Sequence, residues 1–244
     1  MKNNGTLYIV ATPIGNLGDI TLRAIETLKN ADLVLCEDTR VTQKILNHFE
    51  IKTKTLSYHE HSDEKKIKEI KSLLEEGKNL ALVTDAGTPG ISDPGNYLIN
   101  QLITSQKVNN VVREVPLGDP SEGESRSIKI IPIPGPSALT AALSISGFAT
   151  DKFIFLGFPP HKKKRKQFFQ EVGGSNYTVC FYESSHRIKK CLADLAEVLD
   201  NSRQICLGRE LTKKFETIYR GTILEIIKMD ISEKGEFVVV VSKS

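Results

Sequence analysis

The strongest constraint on the fold of this chain is the alternation of short β-rich apolar runs with amphipathic stretches along its first 84 residues. Leu7–Ala11 reads as a buried strand, and Thr21–Leu28 follows it with Leu22, Ile25 and Leu28 at near-helical spacing. Leu33–Glu37 predicts a second strand, Val41–Phe49 a helix, and Thr55–Tyr58 a short third strand. Asp63–Glu76 is the clearest helix: Ile67, Ile70 and Leu74 share one face, the start is acidic, and Gly77 follows the end. Leu80–Thr84 is again a strand. Strands that alternate with helices predict an α/β layer on a mainly parallel sheet.

The rhythm breaks at Ser105–Ser127, whose second half is rich in Gly, Pro, Ser and Glu and reads as a flexible surface loop. A strand returns at Ile128–Ile131, followed by a small-residue helix, Ala138–Ile145. A second α/β cycle then begins. Strands are expected at Phe153–Leu156, Thr178–Tyr182, Ile205–Leu207, Phe215–Tyr219 and Phe237–Val241, with helices at Lys162–Glu171 and His186–Leu199. The prolines of Pro132–Pro136 stiffen the chain and limit helix formation, so the expected domains are 1–131 and 132–244. A chain of 244 residues suits such a pair. Its four cysteines form no CxxC pair and read as buried free thiols. The N-terminus lacks a signal-peptide pattern and no run of about 18 apolar residues occurs. The expectation is a cytoplasmic protein with no membrane partner.

Three segments carry ligand-binding chemistry. Ala11–Asp19 (ATPIGNLGD) opens directly from the first strand, and Gly15 and Gly18 permit close backbone approach. It is neither a GxGxxG dinucleotide fingerprint nor a P-loop. Thr84–Gly95 (TDAGTPGISDPG) packs three glycines, two prolines and two aspartates behind the fourth strand. Such a loop offers rigid turns, free backbone N–H groups and short carboxylates that can grip a polar small molecule. Pro132–Ala138 (PIPGPSA) can surround an adenine or a ribose, or serve as a rigid hinge.

Polar clusters mark other strand ends. Cys36–Arg40 contributes Asp38 and Arg40, and Tyr58–His61 contributes His59 and His61. Two histidines flanking Glu60 resemble metal ligands, but HExxH is absent and no cysteine lies near, so no metal is expected. Five cations, Lys162, Lys163, Lys164, Arg165 and Lys166, follow a Gly-Phe-Pro-Pro-His turn. This run is either a solvated helix face or a phosphate-backbone contact. The net charge of +3 permits an RNA partner without demanding one. Glu183–Arg187 and Arg209–Lys213 each set an Arg and a Glu after a strand, as a clamp for a carboxylate or phosphate or as structural ion pairs.

Taken in order, Val10–Thr21 (VATPIGNLGDIT), Glu37–Arg40 (EDTR), Tyr58–His61 (YHEH), Asp85–Gly95, Pro132–Leu143 (PIPGPSALTAAL) and Phe181–Ile188 (FYESSHRI) resemble the tetrapyrrole-methylase superfamily. They are most similar to its bacterial branch that methylates the 2′-hydroxyl of a cytidine in the decoding region of 16S rRNA. The resemblance spans Leu7 to about Val241. It implies two αβα domains with S-adenosylmethionine in the cleft between them, and a homodimer. The cofactor contacts it implies are Ile14, Ala86, Gly87, Thr88, Ile91, Ser137, Ala138, Glu183 and Leu211. Gly87-Thr88-Pro89 stands where other superfamily members carry Gly-Asp-Pro, which argues against a corrin or sirohaem substrate. Three features depart from the family pattern: the long Ser105–Ser127 stretch, Ser185 where proline is common, and the chain's end soon after Val241 instead of a C-terminal helical extension.

Removal of the proton from a ribose hydroxyl calls for a general base or acceptor, for which Asp38, His59, His61 and Glu183 are the candidates. Arg40, Lys162, Lys163, Lys164, Arg187 and Lys213 are the candidates for contact with RNA, either 16S rRNA or the small ribosomal subunit. Two alternatives remain open at this point: methylation of a tetrapyrrole precursor, and a non-catalytic RNA-binding assembly factor.

Overall fold

The computed structural model describes residues 4–59, 62–106 and 127–243. Two compact units account for the chain: Met1–Pro13 with Leu17–Pro136, and Ile14–Asn16 with Ser137–Ser244. Most of the expected 105–127 loop, and His61, lie outside the described residues.

The first unit is a parallel sheet of β1 (Thr6–Val10), β2 (Leu33–Cys36), β3 (Lys54–Ser57), β4 (Leu80–Leu82) and β5 (Lys129–Ile133), in the order β3-β2-β4-β1-β5. Successive side chains of a strand face opposite ways, so each strand serves two cores. Val34, Ala81 and Val83 pack with Ala24 of α1 (Leu22–Asn30) and Leu46 of α2 (Thr39–His48). Leu35, Leu80 and Leu82 pack on the other face with Ile67, Ile70 and Leu74 of α3 (Glu64–Glu75) and Leu98 and Leu102 of α4 (Asn96–Gln106). Connections running toward β3 carry their helices on one face, and those running toward β5 carry theirs on the other. Right-handed crossovers require this arrangement.

Side chains start these helices. Thr21 accepts from the Ala24 N–H at 3.1 Å, Asp38 from Arg40 at 2.8 Å and Asp63 from Lys66 at 2.9 Å. Each satisfies an N–H that the first helical turn leaves unpaired. The expected boundary at 131/132 falls inside β5, because Lys129–Ile133 pairs along β1; the compact units part at Pro136/Ser137.

The second unit holds a mixed sheet, ordered β6 (Phe153–Phe155), β7 (Thr178–Glu183), β10 (Phe237–Val241), β8 (Gln204–Arg209) and β9 (Thr217–Thr222). Only β6 and β7 run parallel. Phe181, Leu207 and Val239 face a core shared with α6 (Arg165–Gly173), α7 (Ile188–Ala196) and α8 (Ile223–Lys228). Cys180, Cys206, Val238 and Val240 face Ala142 and Leu143 of α5 (Ala138–Ser146), together with Ile14 and Leu211. All four cysteines are free and buried. The basic run departs from the expected helix: Lys164 is the left-handed N-cap of α6 (φ 65°), so Lys162 and Lys163 precede the helix in a turn.

Candidate active site

In the first unit, the chain leaves β1 toward β2 and leaves β4 toward β5, in opposite directions along the sheet. The β1/β4 pair is therefore the switch point, and open α/β sheets bind ligands at the carboxyl ends of strands there. The two motif loops meet at this place. Thr12 and Gly87 exchange backbone hydrogen bonds at 2.8 and 3.0 Å, and the Thr12 hydroxyl donates to the Thr84 carbonyl at 2.9 Å. Gly87 sits at φ 90°, which side-chain-bearing residues rarely adopt. Beyond it the Thr88 hydroxyl donates to the Pro136 carbonyl at 3.3 Å, while Ala86 and Ile91 are exposed. A Cβ on Gly135 would come within 3.1 Å of the Ala11 Cβ, so the PIPGP turn lies backbone-close to the first loop.

The carboxylates of this edge differ in basicity. Asp38 caps α2 and takes both the Nε and an Nη of Arg40, at 3.0 and 2.7 Å. These hydrogen bonds hold its carboxyl down at about 2. Arg40 is highly exposed, so an incoming phosphate can compete for it. Asp85 accepts from the Asp38 N–H at 3.3 Å. Asp93 behaves in the opposite way to Asp38. Burial first, then the negative charges of Glu37 and Asp85, push its carboxyl up to about 6. Sequence reading took Asp93 only as one of the loop's ligand-gripping carboxylates. His59 is exposed at the carboxyl end of β3, where its backbone is tied to Ser62.

In the second unit, Ile14 and Leu211 are both buried in the cluster against α5. Non-glycine residues in left-handed conformations, Glu210 (φ 51°) and Thr212 (φ 65°), flank Leu211, and such strain persists where the surroundings impose it. Ser137 is the N-cap of α5, yet its side chain makes no capping bond, which leaves its hydroxyl available to a ligand together with the helix's first N–H groups. Ala138 opens the helix beside it.

The remaining candidates fall into a buried ionic network. Glu183 ends β7 with its side chain fully buried. Arg187 meets one oxygen at 2.7 Å, and Arg165 approaches the other at 3.5 Å. Arg165 in turn donates to Asp194 at 2.7 Å and stacks over Phe169. Arg187 also donates to the Ser184 hydroxyl and to the Pro159 carbonyl. Arg165 therefore turns inward from the basic run, while Lys162, Lys163, Lys164 and Lys166 stay exposed. Lys213 donates to Glu210 and Glu236 at 3.0 and 2.9 Å, and its stem occupies the space that a side chain at position 15 would need. Arg209 is likewise spent on the Lys234 and Phe215 carbonyls. No metal-ligating cluster occurs among the described residues.

The sequence model of the family described as Tetrapyrrole (Corrin/Porphyrin) Methylases matches residues 6–116 and 121–227. The chain is 46% identical over 242 residues to the ribosomal RNA small subunit methyltransferase I of Halalkalibacterium halodurans, covering 98% of this chain and 76% of that protein. It is 41% identical over 240 residues to the protein of the same name in Thermotoga maritima, covering 98% of each. Among solved structures it resembles the methyltransferase CobJ with a TM-score of 0.67 at 15% identity, covering 98% of this chain and 95% of that one. At that identity the likeness is one of fold. The chain belongs to the tetrapyrrole methylases and, within them, to the family of the ribosomal RNA small subunit methyltransferase I proteins.

Proposed function

We propose that this protein is an S-adenosylmethionine-dependent methyltransferase that modifies the ribose 2′-hydroxyl of a cytidine in the decoding region of 16S rRNA. The observation that carries this reading is the pairing of Thr12 with Gly87 at the β1/β4 switch point, in a chain 41–46% identical to relatives named for small-subunit rRNA methylation. The residues fit the cofactor. Ala86, Gly87, Thr88 and Ile91 offer a backbone-rich surface in the first unit. Ile14, Leu211, Ala138 and the uncommitted Ser137 hydroxyl offer apolar and polar contacts in the second. S-adenosylmethionine, when bound, supplies an electrophilic methyl group. The chain's own task is then to orient the ribose and accept its proton.

Asp93 is the proton acceptor in this reading, because a base works best when its pKa lies near the working pH. Asp38 is too weakly basic at about 2, and Glu183 is enclosed by two arginines. His59 and Arg40 at the same sheet edge, and Lys162, Lys163 and Lys164 in the second unit, are the proposed contacts to RNA. The assay that decides the function is transfer of radiolabel from S-adenosylmethionine to small subunits lacking 2′-O-methylation. Labelled 2′-O-methylcytidine on nucleoside analysis is the expected product, and absence of label in that nucleoside would remove the reading. Kinship also supports a cytoplasmic homodimer, which sedimentation of the purified chain checks for oligomeric state.

Replacing Lys162, Lys163 and Lys164 together by alanine is expected to weaken RNA binding and to flatten the plot of log affinity against log salt by about 2, since each phosphate contact to a single strand contributes about 0.7. An unchanged slope in fluorescence titrations would return these lysines to a solvated surface.

A further inference from the structure

Phe158 is half exposed, although hydrogen bonds hold the turn around it. Gly157, left-handed at φ 66°, turns the chain after β6 while its carbonyl still accepts from the Tyr182 N–H at 2.8 Å. The Phe158 ring then rests edge-on against Tyr182, with centroids 5.4 Å apart, and Tyr182 is braced by Phe155 at 4.9 Å. The next two residues are gripped from below. Arg187 donates to the Pro159 carbonyl at 3.1 Å and Arg165 to the Pro160 carbonyl at 3.3 Å. Both arginines are fixed by the same buried carboxylate, Glu183. Two prolines, the buried Arg165 guanidinium and the partly buried Arg187 guanidinium therefore fix a turn whose outer residues are an exposed aromatic ring followed by His161, Lys162, Lys163 and Lys164, all exposed.

An aromatic face beside a row of cations matches the chemistry of an unpaired nucleotide, with π-stacking for the base and ammonium groups for the flanking phosphates. A duplex offers the phosphates but keeps its bases stacked on one another. We propose that Phe158, held by the Glu183–Arg165–Arg187 network, is a prebuilt stacking platform for a single unpaired base of the RNA substrate, with Lys162–Lys164 taking the adjoining phosphates. The assignment rests on the rRNA reading above and adds to it a base-contacting residue and a requirement for a single-stranded segment. Rigidity has a physical purpose here, because a ring fixed before binding loses little freedom when a base stacks on it.

The test uses the full chain and two labelled probes, an unstructured polypyrimidine ribonucleotide of about 12 nucleotides and the same strand in a duplex. Phe158→Leu keeps the apolar bulk and removes the π face, whereas Phe158→Trp keeps the face. Phe158→Leu is expected to weaken single-strand binding about 5- to 150-fold. Duplex affinity and the salt slope should stay unchanged, and Phe158→Trp should restore wild-type affinity. Equal single-strand affinity in the Leu variant and the wild type overturns the platform, and leaves the rRNA reading intact if the wild type still labels small subunits. A loss seen only on assembled subunits and not on naked RNA assigns the ring to a ribosomal protein and also overturns the platform. Wild-type protein that neither binds RNA nor labels small subunits overturns both.

Discussion

Asp93→Asn is expected to lower methyl transfer about 100- to 10,000-fold, the range by which a positioned base accelerates proton removal, while S-adenosylmethionine binding by calorimetry stays near wild type. The substitution keeps the side chain's size and polarity and deletes its basicity. The wild-type pH profile should report the same group. A base acts in its deprotonated form, so kcat/KM should rise tenfold per pH unit below about 6 and level off above it. Linkage supplies an independent readout with the sign fixed by the direction of the shift. The folded carboxyl binds its proton more tightly than the unfolded one, so its stabilising contribution is present at low pH and is lost as pH rises through about 6. The Asn variant lacks this loss. It should be at least as stable as wild type at neutral pH, with the difference closing as the pH falls through the 6 to 4 range. Full turnover in Asp93→Asn would return the proton to His59 or to solvent.

Why the sequence yields some of this and not the rest follows from where the information lies. The parallel sheet of the first unit was legible because each helix keeps its buried residues in phase within a short window, as Ile67, Ile70 and Leu74 do. Helix α4 was missed: its buried pair Leu98 and Leu102 sits among exposed Tyr97 and Ile103 directly behind a proline and a glycine, which blurs the period. Helix α8 has six residues, too few for a period to register. Its readable signal was the capping box, in which Thr222 and Glu225 satisfy each other's backbone N–H. The antiparallel pairing in the second sheet was hidden because β10, buried at all five positions, reads alike in either direction. At the site, the motif loops could be found from their glycines and prolines alone. The basicity of Asp93 could not, because it comes first from burial and then from the charge of Glu37, which the β2–β4 pairing of the sheet brings near, and both depend on distant parts of the chain. The inward turn of Arg165 was equally invisible. Five adjacent cations look equivalent until Glu183 and Asp194 select one of them.

That selection sets the second large effect. Glu183→Ala is expected to destabilise the protein by about 3–5 kcal/mol, the usual result of removing one partner of a buried ion pair. The partly buried Arg187 guanidinium would lose its carboxylate and keep the Ser184 hydroxyl, while the buried Arg165 would lose one of its two carboxylates and keep Asp194. Chemical denaturation measures the loss. The comparison that separates a structural Glu183 from a catalytic one is a triple replacement, Glu183→Leu with Arg165→Met and Arg187→Met. Apolar residues of similar volume remove both the charges and their desolvation cost, so much of the stability lost in Glu183→Ala should return. The Pro159 and Pro160 carbonyls would lose both of their arginine donors, and the Phe158 turn would be freed from the core beneath it. The triple variant should therefore recover its denaturation midpoint, retain S-adenosylmethionine binding, and still bind single-stranded RNA more weakly than wild type. Recovered stability together with wild-type RNA affinity would show that the network stabilises the unit without shaping the turn. Loss of cofactor binding in a fully stable triple variant would instead move Glu183 into the cofactor site, as the family resemblance first implied.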